Sequence, residues 1–70
     1  MKFILVIYLC SVVANNCRPP IQLDKPYNDI FDCHLDGYKK SVDILQEMGR
    51  DDVNKYEVYT KFICKELLKI

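Results

Sequence analysis

The 70-residue sequence has no excess of either charge and no apolar run long enough to cross a membrane. Ten Lys and Arg balance ten Asp and Glu, so the clustered positive charge that nucleic-acid-binding and membrane-lytic peptides use is missing. The longest apolar run, residues 3–14, has 12 residues, whereas a membrane-spanning helix needs about 20. No Asn-x-Ser/Thr triplet occurs, so we expect no N-linked sugar.

Histidine is nearly absent as well, which leaves little scope for catalysis. His34 is the single histidine, and it directly follows Cys33. A Cys/His dyad needs the imidazole within hydrogen-bond reach of the sulfur, but neighbouring residues on a helix point about 100° apart. A zinc site built from three cysteines and His34 has no recognised ligand spacing. We therefore expect no enzyme activity, no bound metal and no cofactor.

The sequence does contain a leader-like N-terminus. Lys2 supplies a positive charge, residues 3–14 read FILVIYLCSVVA, and this run ends in small residues before polar Asn15. These three parts are typical of a secretory signal peptide. The predicted cut lies between Ala14 and Asn15, so Cys10 leaves with the leader and 70 − 14 = 56 residues remain. The sequence therefore predicts export to the extracellular space.

Three cysteines remain after that cut, and an oxidising compartment favours disulfides between them. An odd number leaves one thiol over, which in a secreted chain indicates an intermolecular bond. We expect Cys33 to pair with Cys64, and the alternatives are Cys17 with Cys33 and Cys17 with Cys64. With the first pairing, Cys17 is either the link of a disulfide-bonded dimer or a buried free thiol.

The chain after the leader divides into an arm and a first helix. Residues 15–27 contain three prolines, which disfavour helix and predict an extended arm. The first helix begins at Asn28-Asp29, either of which can cap it, and ends at Gly49. Gly37 is expected to interrupt this helix, with Asp36 as the new cap. One helix face is apolar and comprises Phe31, Leu35, Tyr38, Val42, Leu45 and Met48.

A second helix is predicted from Asp51 or Asp52 to the C-terminus. Its apolar positions keep helical spacing and comprise Val53, Tyr56, Tyr59, Ile63, Leu67 and Ile70. In an antiparallel hairpin, Cys33 and Cys64 lie roughly 24 Å and 20 Å from the turn, at about 1.5 Å per residue, and so come to nearly the same level. The predicted fold class is all-α, a small disulfide-stapled antiparallel helical hairpin over residues 28–70 preceded by the Pro-rich extended arm.

These features favour a small secreted effector that is not an enzyme and that binds an extracellular protein. In size and style the chain is similar to short peptides of venom, salivary and reproductive glands. A cysteine near the mature N-terminus, together with helices, resembles the secretoglobins and implies a disulfide-linked dimer that carries a small apolar ligand. A third alternative is a peptide-hormone precursor, because Lys39-Lys40 and Gly49-Arg50 flank the segment SVDILQEM.

Overall fold

The computed structural model describes residues 2–67, which form a small mixed α/β fold. Four strands, β1 (Phe3–Ser11), β2 (Asn16–Cys17), β3 (Ile21–Gln22) and β4 (Val58–Glu66), form one antiparallel sheet. Two helices, α1 (Ile30–Met48) and α2 (Arg50–Tyr56), connect β3 to β4. The all-α prediction is therefore wrong: β1 comes from the leader-like segment, and β4 takes nine residues of the predicted second helix, which is helical only as far as Tyr56.

Strand β1 lies at the centre of the sheet. Strand β4 pairs with all nine residues of β1, beginning with Phe3 opposite Glu66. Cys10 faces both Cys17 of β2 and Tyr59 of β4, so these two strands lie on opposite edges of β1. Strand β3 pairs with Val6 and Ile7 in the middle of β1, and β4 pairs with the same two residues from the other side. Strand β3 therefore lies on the same edge of β1 as β2. Every strand pairing in the described sheet consequently involves β1.

The composition of β1 explains how a leader-like run can form a central strand. Leu5, Val6, Ile7 and Cys10 are buried, and they include neighbours that point to opposite faces of the sheet. A central strand has a neighbouring strand on each edge that helps to shield apolar side chains on either face, and branched aliphatic residues favour the extended backbone. The same run of residues meets the requirement of a signal-peptide core, so the apolar pattern alone does not distinguish the two.

Strand β4 shows the alternation that a strand with one covered face requires. Its even-numbered residues from 58 to 64 are half-buried, whereas Tyr59, Lys61, Ile63 and Lys65 are exposed. Tyr59 and Ile63 are also four residues apart, a spacing that by itself predicts a helix. Aromatic and β-branched residues favour strands, and β1 provides a nine-residue edge for them to pair with. Ile70, the last predicted apolar position, lies outside the described residues.

Helix α1 begins and ends where the sequence predicted. The Asp29 side chain accepts a hydrogen bond of 2.9 Å from the Asp32 backbone N–H, and Gly49 ends the helix with a φ of 96°. The predicted interruption at Gly37 is wrong, because the helix is continuous from Ile30 to Met48. Gly37 is buried and faces the sheet, where a Cβ atom would lie only 2.6 Å from Cδ1 of Phe62. The glycine therefore permits close packing of helix against strand.

The core lies between α1 and the sheet. Leu5, Ile7 and Cys33 are fully buried at its centre. Partly buried apolar side chains surround them and comprise Phe3, Leu23, Tyr27, Ile44, Phe62 and Cys64. Because both fully buried aliphatic side chains come from β1, the hydrophobic stabilisation of this small fold depends mainly on that strand.

Candidate interaction surface

Two disulfides fasten the fold. Cys33 of α1 is bonded to Cys64 of β4, with 6.2 Å between their Cα atoms, so the helix is tied to an edge of the sheet. This is the pair favoured from the sequence, although it joins a helix to a strand and not two helices. The expectation of disulfide bonds in a small cysteine-containing chain is confirmed. Two disulfides in so short a chain are typical of extracellular proteins.

The second disulfide places Cys17 differently from the expectation. Cys17 is bonded to Cys10, its neighbour across the β1–β2 pairing, with 3.9 Å between their Cα atoms. The four cysteines of the described chain are all bonded in pairs, and none is free. A disulfide-linked dimer through Cys17 therefore requires that Cys10 is first removed or its bond with Cys17 opened.

The predicted cleavage site lies in the turn between β1 and β2. Ala14 and Asn15 are exposed there, and Asn15 has a left-handed φ of 57°. The Ala14 backbone N–H donates to Oγ of Ser11 at 3.1 Å, and the Asn15 N–H donates to the Val12 carbonyl at 3.2 Å. Cleavage after Ala14 stays a prediction. If it occurs, it cuts the backbone between β1 and the strands that follow, and the Cys10–Cys17 bond is then the covalent link that still holds β1.

The other predicted processing positions lie in or next to helices. Lys39 and Lys40 are within α1, and Arg50 is the first residue of α2. Lys40 Nζ lies 3.7 Å from the Asp36 carboxylate one turn earlier. Proteases bind their substrates in extended form, so cleavage after Lys40 requires α1 to unwind locally. Release of a peptide from this segment therefore needs an unfolded or partly unfolded chain.

The residues that suggested catalysis or metal binding do not form a reactive group here. Cys33 is fully buried in a disulfide, so it offers no thiolate. The His34 ring packs edge-on against Phe62, with 5.8 Å between ring centroids. Residues 2–67 contain no cluster of three or more His, Cys, Asp or Glu side chains placed to hold a metal ion.

One polar contact holds the segment before α1 against the helix. The Tyr27 hydroxyl donates a hydrogen bond to the Asp36 carboxylate. Burial of the phenol raises the pKa of Tyr27 to about 12, and the hydrogen bond to Asp36 and its negative charge act in the same direction. Tyr27 therefore stays protonated at neutral pH and serves as a structural donor.

The largest unexpected feature is an apolar face of α1 that points away from the core. We call Phe31, Leu35, Tyr38 and Val42 the α1 stripe; their side chains are 66%, 54%, 66% and 52% exposed. The buried positions on α1 are instead Cys33, Gly37 and Ser41. Leu35 follows Cys33 by two residues, roughly 200° around the helix. Tyr38 follows Gly37 by about 100°, and its ring packs edge-on against Phe62 with 4.9 Å between ring centroids, so the stripe extends from the side of the helix next to β4 away from the sheet.

Small side chains on the buried face explain this orientation. Cys33, Gly37 and Ser41 recur every fourth residue, and the disulfide and the Phe62 ring fill the space above them. The hydrophobic spacing correctly identified the helix but did not show which face the sheet covers. The signal that could have shown it is this row of small residues in line with a bonded cysteine.

A groove of about 770 Å³ runs beside the stripe, between α1 and the segment that precedes it. Leu35 and Val42 contribute its apolar wall, and charged Asp32 and Lys39 lie along it. Monomeric soluble proteins seldom expose a continuous apolar surface without using it to bind something. The α1 stripe and its groove are therefore the candidate functional site.

Comparisons of the chain with protein-family models, with curated proteins and with solved structures find no match. Within residues 2–67, neither helix combines the length and the apolar character needed to cross a membrane.

Proposed function

We propose that this protein is a small secreted effector that has no enzymatic activity and acts by binding an extracellular protein through the α1 stripe. The observation that carries the proposal is the exposure of four large apolar side chains along a helix face that the sheet leaves largely uncovered. A chain of this size is similar to the short peptides that venom, salivary and reproductive glands secrete.

Two features support export. The leader-like residues 3–14 provide an address for the secretory pathway, and the Cys33–Cys64 disulfide, which lies outside that segment, needs an oxidising compartment to form. The bond between Cys33 and Cys64 lies on the side of α1 opposite the stripe. It keeps that side of the helix directed towards β4, so the stripe stays on the outside.

The composition of the stripe suits protein recognition. Phe31 and Tyr38 are aromatic residues, a class enriched at the energetic centres of interfaces. Full burial of an apolar side chain contributes about 1.5–3 kcal/mol, and the stripe residues still have about half or more of their surface to bury. The four together therefore offer roughly 3–6 kcal/mol before the costs of association. An interface of useful affinity needs further contacts from the groove.

Site-specific photo-crosslinking tests the proposal. The full chain is prepared with benzoylphenylalanine in place of Leu35, or in place of Val13 as a control that is 60% exposed but lies in the β1–β2 turn. Each form is irradiated with extracellular fluid from the producing tissue. We expect a discrete adduct from position 35 alone, and we expect Val42→Asp in the same chain to abolish it. Equal adducts at both positions, or an adduct that survives Val42→Asp, would show that the stripe is not the binding surface.

A second candidate function is the carriage of a small apolar ligand. It is favoured by a cavity of about 350 Å³ between the end of the sheet and the helices, whose apolar wall includes Leu9, Met48, Tyr56 and Val58. Organic extraction of the purified native protein followed by mass spectrometry tests it. A stoichiometric small molecule supports carriage, and an extract without one, from protein that binds a partner through α1, argues for the effector.

A further inference from the structure

We infer that, when no other protein is present, the α1 stripe is covered by the α1 stripe of a second copy of this chain, with the two helices antiparallel. This inference rests on the proposed function, because it concerns the same surface and names the partner that occupies it first. A binding target then displaces the second copy.

The spacing of the stripe matches what a pair of helices requires. Its four residues follow one another at steps of four, three and four, which is the alternation that keeps a seam facing a partner helix in two-stranded coiled coils. Leu45, half-buried, continues the seam by a further step of three. A helix that carries this seam on its exposed side presents a self-complementary surface.

An antiparallel arrangement brings large and smaller side chains together. With the two-fold axis between residues 36 and 37, Phe31 lies opposite the partner's Val42, and Leu35 lies opposite the partner's Tyr38. The axis repeats both contacts, so each layer of the seam combines one aromatic and one aliphatic side chain. Such alternation of large and small residues lets two helix surfaces interdigitate.

Charge complementarity decides between the antiparallel and the parallel arrangement. Asp32 and Lys39 each follow a stripe residue by one position, so they border the stripe on the same side. In the antiparallel pair Asp32 lies across the edge of the seam from the partner's Lys39, two residues from the level position and within reach of that long side chain, and the symmetry makes this contact twice. In a parallel pair in register, Lys39 instead faces the partner's His34. In the part of the chain that the structure describes, neither Asp32 nor Lys39 has an ion-pair partner.

The contact is small, since each copy contributes one helix face and the adjoining groove. We therefore expect a dimer weaker than about 1 µM, in exchange with monomer, and not a permanent assembly. Weak pairing suits a surface that must remain available to a target.

Sedimentation equilibrium of the full oxidised chain, over concentrations from roughly 1 µM to 1 mM, tests the inference. We expect wild type to dimerise and Leu35→Asp to stay monomeric. Asp32→Lys and Lys39→Asp should each weaken the dimer about tenfold, because each change turns two attractions into two repulsions. The double variant, in which the charges are exchanged, should return to within about threefold of wild type.

Two controls separate the contact from effects on folding. Asp52→Lys makes the same charge change on α2, and Val13→Asp adds a charge at an equally exposed apolar residue; both should leave the dimer unchanged. Thermal melting of each variant at low concentration shows that it is folded. A wild type that remains monomeric at the highest concentration, or a double variant no better than the single ones, would overturn the inference.

The crosslinking experiment keeps the two proposals apart. A monomeric wild type that still forms a discrete adduct from position 35 with another protein overturns self-pairing and leaves the proposed function standing. A wild type that dimerises as described but yields only its own crosslinked dimer in the extracellular fluid supports self-pairing and contradicts the binding of a target.

Discussion

Removal of residues 1–14 takes away β1, and we expect the remaining residues 15–70 to lose the sheet. Leu5, Val6 and Ile7 of β1 are 0%, 6% and 1% exposed, and burial of each contributes about 1.5–3 kcal/mol. Their loss therefore lowers the free energy of unfolding by about 5–9 kcal/mol. The total free energy of unfolding of a 70-residue domain is of the same size, roughly 4–10 kcal/mol. The bond between Cys33 and Cys64 constrains the truncated chain but offers β4 no strand to pair with.

Hydrogen exchange and thermal unfolding measure this loss. The full chain and residues 15–70 are both prepared with the Cys33–Cys64 disulfide formed. In the full chain we expect slow exchange for the β4 amides that bond to β1, and a cooperative thermal transition. In residues 15–70 the same amides should exchange rapidly and the transition should disappear. Addition of a synthetic peptide of residues 1–14 should restore protection partly, because it supplies the missing strand.

The matched control removes a disulfide and keeps the strand. The Cys10–Cys17 bond spans 7 residues of sequence and is worth about 2 kcal/mol in the chain-entropy model. The full chain with Cys10→Ala and Cys17→Ala should therefore remain folded, with a lower melting temperature. Protection of β4 in residues 15–70 equal to that in the full chain would refute the central role assigned to β1.

Three further predictions concern packing, crosslinking and pH. Gly37→Ala should destabilise the fold by about 1 kcal/mol in urea unfolding, because the added methyl meets a packed aromatic ring and the resulting strain exceeds the gain in helix propensity. Cys33→Ala with Cys64→Ala should lower the free energy of unfolding by about 4 kcal/mol, since the disulfide that these changes remove spans 31 residues. The raised pKa of Tyr27, about 12 against 10.0, makes its contribution fully present below pH 10 and lost as pH rises towards 12. Tyr27→Phe should remove this part of the alkaline decline in melting temperature.

Each of these expectations has a contrary result. A Gly37→Ala variant more stable than wild type would mean that the ring moves freely and that helix propensity decides. If removal of the Cys33–Cys64 bond lowers the free energy of unfolding by less than about 1 kcal/mol, the unfolded chain is already compact without that bond. An alkaline decline in Tyr27→Phe as steep as in wild type would assign that decline to other groups.

The first helix could be predicted from the sequence because several local signals agree. An acidic cap, a periodic apolar face and a terminal glycine all mark the same segment, and the structure places α1 between Asp29 and Gly49. The pairing of Cys33 with Cys64 was also favoured from the sequence, through the relative levels of the two residues in a hairpin. That reasoning needed only the approximate reach of two antiparallel segments, which a helix and a strand also satisfy.

The sheet could not be predicted because its signals are ambiguous without long-range contacts. Residues 3–11 have the composition of an export signal and of a central strand, and only the partner strands distinguish the two. Residues 58–66 alternate as a strand does, yet Tyr59 and Ile63 also satisfy helical spacing. The nine-residue edge of β1 decides in favour of the strand. Without β1 as a partner, residues 58–66 keep their helical spacing, and the pattern of these residues then favours the wrong fold class.

The candidate interaction surface was only half predictable. The sequence correctly marked Phe31, Leu35, Tyr38 and Val42 as one face of a helix. Its exposure depends on what covers the other face, where Gly37 and a disulfide-bonded cysteine allow the sheet to approach closely. A bulky apolar face is normally the buried one, so this orientation follows from three small residues and not from hydrophobicity.

Interstrand nuclear Overhauser effects in the full oxidised chain test the pairing of β1 with β4 most directly. The account predicts contacts between backbone protons of Leu5 and Cys64 and of Ile7 and Phe62, the pairs that lie opposite each other in the sheet. Sequential helical contacts through residues 58–66, without contacts to residues 3–11, would contradict it and restore the helical hairpin.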